Sequence, residues 1–187
     1  MRESKDYDIF YKKITSNLRE KENVAHTLFL LNKAVEFIMY FSYIMVLINV
    51  FFYERGTLNP IKKLWDSGNL KSSILTVAPF VIIPGTGFVL LTIIRKVINR
   101  KRPYETWNLD QLIKKDKKGQ SMPSRHVYSA AVIAMCVLCI NTVLGIICIV
   151  IAILLAVLRV VGGVHYPSDV IVGFISGIMT GLLLFIK

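Results

Sequence analysis

Apolar positions along this chain fall into long unbroken runs, not into the alternation of a half-buried strand or the one-sided stripe of a soluble helix. Residues 34–53 form one run with Glu36 as its sole charge. Residues 72–94 carry no charge over 23 positions, residues 127–158 none over 32, and residues 170–186 make a last run. About 20 helical residues cross a hydrocarbon core of roughly 30 Å. The run at 127–158 would reach about 48 Å as one helix, so it is expected to be two, turning at Asn141-Thr142 near Gly145. The pattern therefore predicts an all-α, integral-membrane bundle of about five spans. Ahead of it, residues 7–18 set Tyr7, Phe10, Tyr11, Ile14 and Leu18 at helical spacing with Lys12, Lys13 and Asn17 between them. That spacing predicts a short interfacial helix, a packed N-terminal element being equally compatible. Residues 1–33 are thus expected as an amphipathic N-terminal segment and 34–187 as one membrane-embedded unit.

Smaller features refine the picture. In the polar connection 54–71, Asn59-Pro60 and Ser67-Gly68-Asn69 read as turns around an amphipathic piece with Ile61, Leu64 and Trp65. Pro79 and Pro84-Gly85 should kink the run at 72–94. Gly173, Gly177 and Gly181 stand four apart beside Ser176 and Thr180, a surface for close helix approach.

Composition agrees with a membrane chain: 54% of residues are hydrophobic, 19% charged, and mean hydropathy is +0.55, where soluble domains carry about a quarter charged residues. A net charge of +11, concentrated at the ends of the apolar runs, favours anionic partners. On a mostly buried chain those are lipid phosphates rather than nucleic acid. Cys136, Cys139 and Cys148 all lie in apolar runs, are odd in number and are expected to be inert thiols. The N-terminal residues have no apolar stretch with a cleavage site, so no cleavable signal peptide is expected.

Three polar clusters sit where runs end: Arg95 through Arg102-Pro103, Pro123-Ser124-Arg125-His126, and Arg159 through His165 to Asp169. A hairpin at Asn141 would bring all three to one membrane face; a single long helix would put His126 and His165 on opposite sides. Together they hold guanidinium groups for phosphate oxygens, two histidines, and a carboxylate four residues after one of them. Asp169 can fix the tautomer of His165, as an orienting acid does for any nucleophile or base. Pro167-Ser168 reads as a helix start that this pair straddles, and Ser124 reads as a helix cap whose neighbouring backbone N–H groups would favour an anion. Taken singly, each arginine is a snorkelling interface residue. Taken together, ionisable groups at membrane depth point to function.

At these residues the sequence resembles the type 2 phosphatidic acid phosphatase family, whose helical core is shared with vanadium haloperoxidases and bacterial acid phosphatases. The family pattern of Lys, six residues, Arg-Pro meets Arg95, six residues, Arg102-Pro103. Pro-Ser-Gly-His meets Pro123-Ser124-Arg125-His126, and Ser-Arg, five residues, His, three residues, Asp meets Leu158-Arg159, five residues, His165, three residues, Asp169. The resemblance implies a lipid phosphatase with His165 as nucleophile, Asp169 orienting it and His126 protonating the leaving oxygen. Arg95, Arg102 and Arg159 would hold the phosphate with help from Ser124, and Arg125 in the glycine place would add a contact or crowd the site. Metal-independent turnover without a cofactor is expected. Undecaprenyl diphosphate, phosphatidic acid and phosphatidylglycerol phosphate are the substrates the family suggests. A phosphotransferase would use the same residues, and a non-catalytic binder of anionic lipids would need the charges but not His165.

With five spans, the face of the three clusters also takes the N-terminus and gathers 18 basic residues against 5 opposite. Positive-inside reasoning then expects a multi-pass cell-membrane protein with the site on the cytoplasmic side.

Overall fold

The computed structural model describes residues 2–20, 22–52, 67–107 and 109–186, with the backbone alone at 2–6, 52 and 67–72. Helices follow in the order α1 (Arg2–Arg19), α2 (Val24–Phe52), α3 (Ser67–Ile98), α4 (Pro103–Trp107), α5 (Arg125–Ile140), α6 (Thr142–Val161) and α7 (Pro167–Leu182), with a 3₁₀ turn at Leu183–Phe185. Among the described residues there is no strand. Helices α2, α3, α6 and α7 are long and apolar enough to cross a membrane, and α5 is a shorter apolar helix. The expected turn at Asn141 forms: its side-chain oxygen accepts the Leu144 N–H at 3.0 Å, capping α6 as α5 ends. Gly145 lies against Leu138 so closely that a Cβ has no room.

Helix α5 is the centre of the bundle. Val127, Tyr128 and every residue from Ala130 to Val137 are buried, under α2, α3, α6 and α7. Its 16 residues span only about 24 Å, a length tolerable for a helix surrounded by protein. Small residues let the neighbours close in. The glycine stripe of α7 packs on α5 as expected: a Cβ on Gly173 would meet the Ser124 carbonyl oxygen at 2.6 Å and one on Gly177 the Tyr128 carbonyl oxygen at 2.6 Å.

Helix α2 begins ten residues before the apolar run, because Leu28, Asn32, Val35 and Met39 continue one inward stripe against the core. Helix α3 starts at Ser67, so Ser67-Gly68-Asn69 form its first turn and not a loop; Asn59-Pro60 and the piece around Ile61, Leu64 and Trp65 lie outside the described residues. Both prolines sit inside one helix. Pro84 has no N–H for the Phe80 carbonyl, and the Tyr43 hydroxyl of α2 donates to that oxygen instead at 2.7 Å. Inside a bilayer an unpaired carbonyl costs several kcal/mol, so this bond ties the two helices together. Helix α1 is a packed element: Tyr11 and Thr15 are buried, and the Tyr11 hydroxyl donates to the Val161 carbonyl at 3.1 Å.

Replacing Gly177 by Val should overpack α5 against α7 at a cost of about 1–3 kcal/mol, lowering the melting temperature in detergent by several degrees. Gly85→Ala, with nothing within 4 Å of the added carbon, should leave it unchanged or raised.

Candidate active site

The hairpin puts the last turn of α3, the first turn of α5, the last turn of α6 and the start of α7 at one end of the bundle. Segment 109–124 folds over that end, pinned by buried Leu109, Leu112 and Ile113 and by the Ile113 N–H donating to the Gly162 carbonyl at 3.1 Å. The turn between α6 and α7 needs Gly163 at φ +75°, where a Cβ would also strike the Tyr11 hydroxyl at 2.8 Å. This turn delivers His165, which is followed by Tyr166 and by Pro167 as the first residue of α7.

His165 and Asp169 straddle that helix start as expected, Nδ1 lying 3.5 Å from Oδ2. The carboxylate is fully buried and held from four sides. Its Oδ2 accepts from the Ser121 hydroxyl and from the Tyr166 N–H at 3.0 Å, while Oδ1 accepts from Arg100 at 2.9 Å. The Ser121 oxygen is also 3.3 Å from His165 Nδ1. Arg100 stacks 4.1 Å over the Tyr166 ring and bonds Ser168 at 2.8 Å. On the outer side Tyr166 meets Tyr7 of α1 at 4.8 Å between ring centres and accepts from Trp107 Nε1 at 3.1 Å. Burial pushes the His165 imidazole down to about 4, against the opposing pull of its hydrogen bond to Asp169. The ring is therefore neutral at pH 7, and with Nδ1 facing Ser121 and Asp169 its Nε2 lone pair is left free.

His165 opens onto a cavity of about 100 Å³ whose other walls are Arg95, Arg102, Lys115, Lys117, Arg125, His126, Arg159 and Val164. No carboxylate lines it among the described residues. The backbone aims the cations: Arg95 donates to the carbonyls of Gln120, Ser121 and Pro123, and Arg102 to those of Gly119 at 3.1 Å and Val164 at 3.4 Å. Arg159 gives Nη2 to Glu36 of α2, while its buried Nε has no partner. Arg125 lies 5.8 Å over the Phe88 ring, so it walls the cavity from α3 without filling it. Burial, with Arg159 and Lys33 nearby, lowers the pKa of Lys115. Six cations around so small a space select a compact, highly charged anion.

Of the residues expected from sequence, Arg95, Arg102, Arg125, Arg159, His126 and His165 meet around this cavity, with Asp169 directly behind His165. Ser124 stands at the N-cap of α5, but its hydroxyl makes no cap bond and is buried without a partner; its backbone N–H goes to the Asp169 carbonyl at 2.9 Å instead. Leu158, where the family pattern has serine, is a buried core residue. Sequence reasoning missed Ser121, Arg100, Lys115 and Lys117, which carried no signal beyond lying in a basic segment. It also passed over Glu36, whose signal was visible: a lone carboxylate inside an apolar span.

A family model described as the PAP2 superfamily matches residues 73–187. No curated protein matches the chain. The crystal structure of the first transmembrane PAP2-type phosphatidylglycerolphosphate phosphatase from Bacillus subtilis is similar over 99% of this chain and 86% of that one, with 22% identity and a TM-score of 0.65. Aquifex aeolicus LpxE is similar over 86% of this chain and 93% of that one, with 20% identity and a TM-score of 0.54.

Inorganic phosphate at matched ionic strength should stabilise the purified protein over chloride, by about 2–3 kcal/mol near a hundredfold excess over its Kd. The phosphate-dependent rise in melting temperature should largely disappear in Arg159→Met, a within-variant difference insensitive to any change in basal stability.

Proposed function

This chain belongs to the PAP2 superfamily, and from that premise we propose that it is a multi-pass membrane phosphatase that cleaves a lipid phosphomonoester or diphosphate through a phosphohistidine on His165. One observation carries the reading. A buried, neutral histidine, with Nδ1 covered by Ser121 and Asp169, faces a phosphate-sized cavity walled by six cations.

Each group then has a role. Asp169 holds the Nδ1–H tautomer, and Nε2 attacks phosphorus as the bond to the leaving oxygen breaks. Arg95, Arg102 and Arg159, with Arg125, hold the phosphoryl oxygens, and the free Nε–H of Arg159 and the free hydroxyl of Ser124 are donors awaiting an acceptor. Carbonyl anchoring presets the guanidinium groups before the substrate arrives, which is the preorganisation such a transfer needs. His126, at the start of α5, protonates the leaving oxygen and afterwards takes the proton from the attacking water. The arginine and lysine side chains supply the positive charge on which phosphoryl transfer depends. Phosphatidic acid, phosphatidylglycerol phosphate and undecaprenyl diphosphate are the candidate substrates. The basic surplus on this end of the bundle favours a site at the cytoplasmic face.

Detergent-purified protein should release phosphate from at least one of these lipids with a chelator present, and His165→Ala should lower the rate by about 10³-fold or more. Unchanged function in His165→Ala would instead favour a non-catalytic binder of anionic lipids, and transfer of the phosphoryl group to a second lipid would show up in product analysis.

A base whose pKa is lowered stays unprotonated at every pH above it. The acid limb of kcat/KM due to His165 should therefore lie near pH 4, not near the usual histidine value of about 6.5. Rates should be corrected for the substrate's own second phosphate ionisation near pH 6.

Asp116 is exposed on the segment that covers the site. In intact cells, Asp116→Cys should resist an impermeant maleimide until the membrane is opened; labelling from outside would place the site on the other face.

A further inference from the structure

The family match begins at residue 73, yet the site has one ionic partner from before that point. Glu36 lies in the fourth turn of α2, and its side chain is 11% exposed. Its Oε1 accepts from Arg159 Nη2 and from Asn32 Nδ2 at 3.1 Å and lies 3.6 Å from His126 Nε2, and its Oε2 lies 3.6 Å from Lys33. Among the described residues it is the one carboxylate within ion-pair distance of His126. A carboxylate at that depth in an apolar helix is costly and points to function.

The cavity sets the problem that Glu36 solves. A positive charge on His126 is opposed first by burial, then by Arg159 on α6, His165 on the turn before α7, Lys115 on the covering segment and Arg125 on its own helix. Groups that suit the phosphate thus oppose the proton that the leaving oxygen must receive. We infer that Glu36 is a positioning residue that keeps His126 competent as the general acid. The inference rests on the phosphatase reading above and adds to it a residue that the family motifs do not contain. At 3.6 Å the contact is too long for a hydrogen bond. The carboxylate therefore stabilises charge on the ring without tying up the Nε2–H. In the reaction the P–N bond forms at His165 while the P–O bond breaks. The leaving oxygen keeps the electron pair and takes the His126 proton. Water then attacks phosphorus, its proton goes to His126, and phosphate and free His165 are released.

The test compares a poor leaving group, dodecyl phosphate, with a good one, 4-nitrophenyl phosphate, whose phenolate departs without a proton. General acid catalysis contributes about 10²–10⁴-fold, so Glu36→Gln should lower the single-turnover rate of leaving-group release, which precedes water attack, by at least about 10-fold for dodecyl phosphate and by less than about 3-fold for 4-nitrophenyl phosphate. His126→Gln should show the same split, the double variant should be no worse than His126→Gln, and Glu36→Asp should recover part of the loss. The ratio of the two rates does not depend on the fraction of protein that folds. Equal losses on both substrates, a change confined to KM, or no change would each overturn the inference while leaving the phosphatase reading intact. A parent protein that releases phosphate from neither substrate would overturn both.

Discussion

Mutual repulsion among six cations around one small cavity is the constraint on which this structure turns. No side chain in the cavity wall neutralises them, so the protein holds each guanidinium by something behind it. Arg95 and Arg102 lean on backbone carbonyls of the covering segment and of Val164. Arg159 leans on Glu36, and Arg100, set further back, on Asp169. Carbonyl dipoles attract a guanidinium without cancelling its charge, so the potential in the cavity stays positive while the geometry is fixed. The same bonds give the segment its shape: carbonyls at 119–121 and 123 are spent on arginines, and the chain there forms neither helix nor strand.

Those anchors come from two helices and two loops, and they meet only because α5 is short and tightly wrapped. The hairpin at Asn141 returns the chain to the end where α5 began. Ala131 on α5 and glycines at 173 and 177 on α7 bring backbones close enough for the Ser124 N–H to bond the Asp169 carbonyl. That bond fixes the start of α5, which carries His126, against the start of α7, which follows His165. Packing of small residues in the membrane thus sets the separation of the two histidines, a chain of dependence from glycine spacing to chemistry.

Much of this was legible in the sequence. The apolar runs marked the spans because the bilayer imposes a length, and the three polar clusters stood out as interruptions of those runs. The turn at Asn141 was forced by a run too long for one helix. Helix limits were less legible, since hydropathy records where a helix meets lipid and not where its hydrogen bonds begin; α2 extends to Val24 through His26 and Lys33 for that reason. Ser124 occupies a cap position, but a cap bond depends on where the hydroxyl points, and tight packing against α7 decides that. Ser121, Arg100, Lys115 and Lys117 were hidden because their places follow from the path of a segment held by tertiary contacts rather than by a periodic pattern.

Placed side by side, the two histidines have matching surroundings: Arg100, Asp169 and His165 form one chain of contacts, and Arg159, Glu36 and His126 another. In each, an arginine offsets the carboxylate, so neither acid is a free charge beside its ring. The His165 side chain is 2% exposed and that of His126 36%. Burial keeps the first ring neutral, and in the proposed mechanism the second, which faces the cavity cations, carries a proton only with an anion in the cavity and Glu36 beside it. The second chain also shares its arginine with the cavity wall. In the proposed mechanism one guanidinium, Arg159, thus touches both the phosphate and the carboxylate beside the general acid, a link that the first chain, with Arg100 behind Asp169 and outside the cavity, does not have.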